Sequence, residues 1–95
     1  LHYIVRQNRP YMGFFADDIT GRTNLTELTW YHIAYVYDIS SNIKTVYLNG
    51  ISDGSSTASA NGPSVGSYQG ANGSTTIGSW TSSSIRNWDG LIDQV

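Results

Sequence analysis

The carboxylates and histidines that could carry out acid–base chemistry are few in this chain of 95 residues. Glu27 is the one glutamate and falls in a predicted loop, and the other carboxylates are aspartates. Glycoside hydrolysis needs two carboxyl groups held about 5–10 Å apart, and serine hydrolysis needs a histidine beside the nucleophile. His2 and His32 are the only histidines, and a lone histidine in a strand is usually structural. The sequence therefore predicts no catalytic residues and no enzyme.

Two adjacent carboxylates, Asp17 and Asp18, lie in a polar stretch that runs to Asn24 and is predicted to be a loop. Paired oxygen donors can hold Ca²⁺, which takes six to eight such ligands. Adjacent aspartates also stabilise turns in solvated loops, and this is the interpretation we favour. The sequence thus predicts no cofactor, with calcium left open and Asp17 and Asp18 as its candidate ligands.

The aromatic stretch at residues 29–38, TWYHIAYVYD, is typical of a strand that is apolar on both faces. Side chains of a strand alternate between its two faces, and residues 44–48 predict a returning strand. We expect one face of this strand pair to belong to the core. The residues expected in that core are Trp30, Val36, Val46 and Leu48.

Three tyrosines are expected on the outer face of the same two strands, namely Tyr35, Tyr37 and Tyr47. Tyrosine suits such a face because its ring is apolar while its hydroxyl stays in water. Cross-strand packing explains such a cluster without any function. A stacking platform for sugar rings and a protein interface are the functional alternatives, so these tyrosines are the candidate ligand or interface patch.

Two triplets, Asn24-Leu25-Thr26 and Asn72-Gly73-Ser74, match the acceptor pattern for N-glycosylation. Both fall in predicted loops, so Asn24 and Asn72 are candidate glycosylation sites and indicate an extracellular or cell-surface location. The absence of cysteine excludes a disulfide scaffold and cysteine-ligated zinc, but it leaves the compartment open.

Strand and turn patterns follow one another along the chain, and no window has a sustained helical period of apolar residues. Asn49-Gly50 is the strongest hairpin signal, because a type I′ turn needs positive φ at both central residues. Further turns are predicted at 8–10 and 40–42. Residues 52–74 contain five glycines and seven serines and predict a flexible loop, interrupted at most by a short strand near 65–68. The other predicted strands cover 1–6, 11–16, 29–38, 44–48, a segment from Ile51, 75–80 and 88–95.

This pattern predicts a single domain with an all-β, antiparallel sandwich fold. The net charge of −2, with Lys44 as the only lysine, gives no basic patch and argues against nucleic-acid binding. No apolar run approaches the roughly 18 residues of a membrane span, so we expect no membrane insertion.

Four motifs occur in an informative order: W30-Y-H-I-A-Y-V-Y-D38, V46-Y-L-N-G50, I77-G78 and G90-L-I-D-Q-V95. Together they resemble the laminin-G-like jelly-roll family, which is related to the concanavalin-A-like lectins and pentraxins. Gln94 departs from the family pattern, which more often has Glu there. The Glu-x-Asp-x-x-Glu motif of the glucanases in this superfamily is missing.

The resemblance implies an extracellular sandwich whose relatives bind carbohydrates or proteins, often with calcium. It also implies that His32 and Asp38 are framework positions. Family members are longer, so the domain is expected to be incomplete at both ends, either as a fragment or because neighbouring subunits supply strands.

Two function classes follow. The first is a structural or adhesive module that contacts other protein chains, including copies of itself in an extracellular assembly or filament. The second is a lectin-like module that binds a glycan through Tyr35, Tyr37 and Tyr47 or through the long loop.

Overall fold

The computed structural model describes residues 2–13, 17–57, 76–78 and 88–95. Within these ranges the regular structure consists of six strands and no helix, which confirms the all-β prediction. The strands are β1 (His2–Arg6), β2 (Arg9–Gly13), β3 (Ile19–Thr20), β4 (Ile33–Asp38), β5 (Ile43–Leu48) and β6 (Ile51–Thr57). They form two antiparallel three-stranded sheets with the orders β1-β2-β3 and β4-β5-β6. In the ranges described, the chain contains no helix that could cross a membrane.

Two-residue turns connect β1 to β2 and β5 to β6. Asn49 and Gly50 have φ angles of 52° and 81°, and Leu48 pairs with Ile51 across the turn. Positive φ at both central residues is the requirement of a type I′ hairpin, so the predicted Asn49-Gly50 turn is confirmed. The first turn lies at Gln7 and Asn8, with φ of 52° and 60°, rather than at 8–10.

The predicted turn at 40–42 is also present, between β4 and β5. The carboxylate of Asp38 accepts hydrogen bonds from the Ser40 hydroxyl (2.6 Å), the Ser40 N–H (2.9 Å) and the Ser41 hydroxyl (2.7 Å). Donors that favour the charged form lower the pKa of a carboxyl group. The hydroxyls of Ser40 and then Ser41, with the Ser40 N–H, lower the pKa of Asp38 to about 2.

The core lies between the two sheets. Its buried side chains are Met12, Ile19 and Val46, and the partly buried Ile33 and Tyr35 pack against them. Ile19 belongs to a short strand, β3, that falls within the stretch predicted to be a loop. Contacts between β3 and both β5 and β6 place one sheet over the other. This is the face-to-face packing of a β-sandwich.

The predicted core residues Trp30 and Val36 are exposed, at 65% and 44%, so the face assignment of β4 was wrong. Tyr35, not Val36, pairs with Val46 and therefore shares its inward face. Both faces of this strand are apolar, so its alternation alone could not decide which face lies inside. Val46 is confirmed as core, and Leu48 is half-buried.

Three further predictions were wrong. Residues 51–57 form β6, so the Ser/Gly-rich segment begins as a strand paired to β5 and not as a loop. A strand was predicted over residues 88–95, but these residues are irregular and form no ladder with a described strand. Their backbone contacts the 76–78 segment, where the Trp88 N–H donates to the Gly78 carbonyl at 2.7 Å. Residues 76–78 are likewise irregular. Positions 1, 14–16, 58–75 and 79–87, with the predicted strand near 65–68, lie outside the described ranges.

Candidate functional site

A buried ion pair joins the two sheets. Lys44 on β5 is fully buried, and its Nζ lies 2.6 Å from Asp17 Oδ1, with 7% of the Asp17 side chain exposed. The same ammonium group donates to the Asp17 carbonyl oxygen at 2.5 Å. Asp17 lies two residues before β3, so the pair connects the central strand of one sheet to the segment that leads into the edge strand of the other. An ammonium group at this distance compensates the charge of the carboxylate inside the protein.

The ion pair bears directly on the candidate calcium ligands. Asp17 points into the core and is bound to Lys44, contrary to the expectation of a solvated turn, whereas Asp18 is exposed. The structure therefore does not bring these two carboxylates together. Among the residues that the structure describes, no group of three metal-ligating side chains is gathered.

A second polar contact, missed from the sequence, attaches the 21–25 loop to β6. The Asp53 carboxylate accepts the Thr23 N–H at 3.1 Å and the Thr23 hydroxyl at 2.5 Å, and the Asp53 carbonyl accepts the Arg22 N–H at 2.9 Å. A methyl group on Gly21 would collide with Asp53 Oδ2, so a larger residue there would have to displace the Asp53 side chain. The only sequence signal was that Asp53 is the single charge in the 52–74 segment.

Beside this contact lies an open cleft of about 250 Å³. Its lining combines aliphatic and hydrogen-bonding side chains, a combination common in ligand sites. The Asn49 side chain is held in place, because its Oδ1 accepts the His32 N–H at 2.9 Å. The lining residues are Thr23, Leu48, Asn49, Ile51, Ser52 and Asp53.

Large apolar side chains are exposed in the segment that leads into β4 and at the start of β6. Ile33, Leu48 and Ile51 lie side by side across the three strands, so the segment before β4 and the β5–β6 turn share one end of the β4-β5-β6 sheet. Leu28, with a positive φ of 57°, is fully exposed, and Ile51 is 74% exposed. We call Leu28, Trp30 and Ile51, together with the cleft, the hairpin-end surface.

Hydrogen bonds fix the segment that carries Leu28 and Trp30. The Tyr31 hydroxyl contacts the Thr26 hydroxyl at 2.9 Å and accepts the Thr26 N–H at 3.2 Å. The Thr29 hydroxyl donates to the Glu27 carbonyl at 3.2 Å. The hydrogen bonds from Thr26 also lower the pKa of Tyr31. The apolar side chains are thus presented by a backbone with defined internal contacts.

The three predicted patch tyrosines do not share a face. Tyr35 points inward, and its hydroxyl donates to the Ile4 carbonyl at 3.0 Å. Its ring stacks on the ring of Tyr3, with the two ring centroids 4.8 Å apart. Burial raises the pKa of Tyr35 to about 12. Tyr37 follows on the same face and donates to Asn42 Oδ1 at 2.8 Å. Tyr47 pairs with Ala34 on the opposite face. A common outer patch of these three residues is therefore wrong, whereas a ligand role for any one of them stays a prediction.

Of the two candidate glycosylation sites, Asn24 is exposed and its Oδ1 accepts a hydrogen bond from Arg9 Nε at 2.8 Å. Asn72 lies outside the described residues.

The pentapeptide Gly62-Pro63-Ser64-Val65-Gly66 also lies outside the described residues, and it matches the Gly-x-Ser-x-Gly pattern of serine hydrolases. That pattern marks a nucleophile only at a strand-to-helix turn with a histidine partner. In a Ser/Gly-rich segment it has no such meaning by itself.

A laminin G family model, described as the concanavalin A-like lectin/glucanases superfamily, matches residues 3–95. No curated protein and no solved structure matches the chain.

Proposed function

The chain belongs to the concanavalin A-like lectin/glucanases superfamily, and from this premise we propose that it is a non-catalytic, extracellular adhesive module whose hairpin-end surface binds another protein. The observation that carries the proposal is the exposure of Leu28, Trp30 and Ile51 at one end of the sheet. Exposed apolar patches on soluble proteins mark interaction sites. Tryptophan is enriched among the few residues that dominate binding energy at interfaces.

A protein partner fits this surface better than a sugar. Two of its three exposed apolar side chains, Leu28 and Ile51, are aliphatic and offer area but no hydrogen bonds. Polar groups lie at the margin, in the adjoining cleft. An apolar centre with a polar rim is the usual arrangement of a protein–protein interface.

The carboxylates support a non-catalytic role, although the superfamily includes glucanases by name. A glycosidase needs a general acid whose pKa is raised. Asp17 is bound to Lys44, Asp53 is bound to Thr23, and the pKa of Asp38 is lowered instead. These three carboxylates have structural partners and are poorly suited to donate a proton to a leaving group.

An extracellular location is supported by the exposed Asn24 sequon. Intact-mass measurement of the chain secreted by eukaryotic cells is expected to show glycan mass, and Asn24→Gln made in the same cells is expected to lose the part carried by Asn24. A mass equal to that of the bare polypeptide would remove this support.

The proposed surface can be tested with matched variants. Trp30→Ala is expected to weaken binding to immobilised extracellular-matrix proteins by about 30-fold, the loss typical of a central interface residue at roughly 2 kcal/mol. Ile39→Ala is the control, because Ile39 is 69% exposed at the opposite end of the sheet. Equal binding by both variants would contradict the proposal.

The cleft supports a second candidate function, carbohydrate binding, because Asn49, Ser52 and Asp53 converge beside Leu48 and Ile51. A glycan array probed with and without calcium separates the two candidates. Under the protein-binding proposal, which includes no cofactor, the array gives no signal in either condition. A signal that is lost in Ser52→Ala but kept in Trp30→Ala would favour the lectin function.

A further inference from the structure

The Lys44 amine is a buried nucleophile for which the proposed binding function has no use. It is the only lysine in the chain, it is fully buried, and it is held 2.6 Å from a carboxylate oxygen of Asp17. A second hydrogen bond, to the Asp17 carbonyl at 2.5 Å, fixes the direction of the amine. The reacting groups are thus positioned by two contacts and enclosed between the two sheets.

We propose that Lys44 and Asp17 condense to form an intramolecular amide crosslink between Nζ and Cγ. A proton first passes from Nζ to Oδ1 along their hydrogen bond, which leaves a neutral amine and a carboxylic acid. The Nζ lone pair then attacks Cγ, and a carboxyl oxygen leaves with two protons as water. One N–C bond forms, one C–O bond breaks, and no oxidant, cofactor or second substrate is needed.

Burial favours this reaction in two ways. A low-dielectric interior penalises both charges of an ion pair, so the proton transfer that neutralises them costs less than it does in water. Holding two reactants in contact also replaces a bimolecular step by an intramolecular one, with effective molarities of about 10⁵–10⁸ M in well-oriented cases. The same contact cannot form in the unfolded chain, so crosslinking should require the packed sandwich.

The crosslink can be detected by mass. The folded wild-type chain is expected to be lighter than its sequence by one water molecule. Lys44→Arg keeps a cation at this position but removes the primary amine, and it is expected to have the full sequence mass. Loss of water at Asp53-Gly54 or Asp89-Gly90 would give the same mass change. Lys44→Arg controls for this, because a loss at those sites would still occur in the variant.

Peptide mapping gives a readout that does not depend on how well a variant folds. Trypsin does not cleave after an acylated lysine, so denatured and digested wild type should yield residues 7–22 joined to residues 23–86. Chain kept in denaturant from the start should instead be cleaved after Lys44. Folded wild type that has the full sequence mass and is cleaved after Lys44 would overturn the proposal. The result is independent of any binding by the hairpin-end surface.

Discussion

Lys44 lies on the inner face of β5, opposite Tyr37 and two positions before the buried Val46. Alternation assigns this position to the core, yet the residue is a cation, and its partner Asp17 comes from a segment that gave only the signals of a loop. The contact joins residues far apart in sequence. Its existence could be seen only once the sheets were placed together, because nothing in the local pattern of either segment points to the other.

The energetic role of this pair predicts an asymmetric pattern in variants. Compared with wild type that has not formed the crosslink, Lys44→Met is expected to reduce the free energy of unfolding by about 3–5 kcal/mol, because it leaves the Asp17 carboxylate buried without its counter-charge. Adding Asp17→Asn removes that charge and should recover much of the loss. Urea denaturation of both variants measures the difference. A double variant no more stable than Lys44→Met would contradict this account.

Asp38 predicts a measurable pH dependence. Its folded pKa of about 2 is below the ordinary value of 3.8, so its hydrogen bonds contribute stability above about pH 3.8 that is lost as the pH falls through about 2. Carboxyl-carbon NMR of Asp38 should follow this titration. Ser40→Ala should raise the pKa towards 3.8, with a smaller rise in Ser41→Ala. A wild-type value at or above 3.8 would show that the turn hydrogen bonds do not form.

At the scale of elements, the sequence predicted the turns but not which face of a strand points into the core. Asn49-Gly50 specifies its own conformation through positive φ, a local property. The two faces of β4 are both apolar, and only the pairing of Tyr35 with Val46 shows which one is inward. A strand was predicted to start at Ile51, but its continuation to Thr57 was missed. The Ser/Gly composition of that continuation has low strand propensity, and pairing with β5 outweighs that propensity. The hairpin-end surface depends on the correct face, so it could not be predicted.

The loop attached to β6 predicts unequal effects of two glycine substitutions. Gly50→Ala should cost about 1–2 kcal/mol, the penalty of a left-handed backbone, because nothing lies within 4 Å of its added methyl group. Gly21→Ala should cost more, because its methyl group must displace Asp53 from Thr23. Combining Gly21→Ala with Asp53→Ala should therefore be less than additive. Thermal unfolding of Gly50→Ala, Gly21→Ala, Asp53→Ala and the double variant tests this, and equal costs for the two glycine substitutions would refute it.

At the scale of the whole molecule, several apolar side chains stay exposed in addition to the hairpin-end surface. Val36 and Ile43 on the outer face of the β4-β5-β6 sheet, and Leu91 and Val95 near the C-terminus, are all solvent-accessible. Exposed apolar area and open strand edges favour association. Copies of the chain itself therefore remain among the proposed protein partners.

Self-association predicts that the sedimentation coefficient of the purified chain rises with concentration. Val36→Thr should reduce this rise by replacing apolar area on the sheet face, while Ser55→Thr on the same face serves as the control. A monomer at every concentration would exclude assembly into filaments by this chain alone.

The order of strands in the two sheets has a consequence for the time course of folding. Within the described residues, each sheet is built from three consecutive strands, so each ladder between these strands pairs neighbours in sequence. Such hairpins form in about 1–10 μs. Contacts between the sheets, such as Tyr35 with Ile4, span more of the chain and carry the larger loop-closure cost. We therefore expect each sheet to form before the two dock. Gly50→Ala should then slow refolding, whereas Tyr35→Phe should mainly accelerate unfolding, and stopped-flow measurements distinguish these two effects.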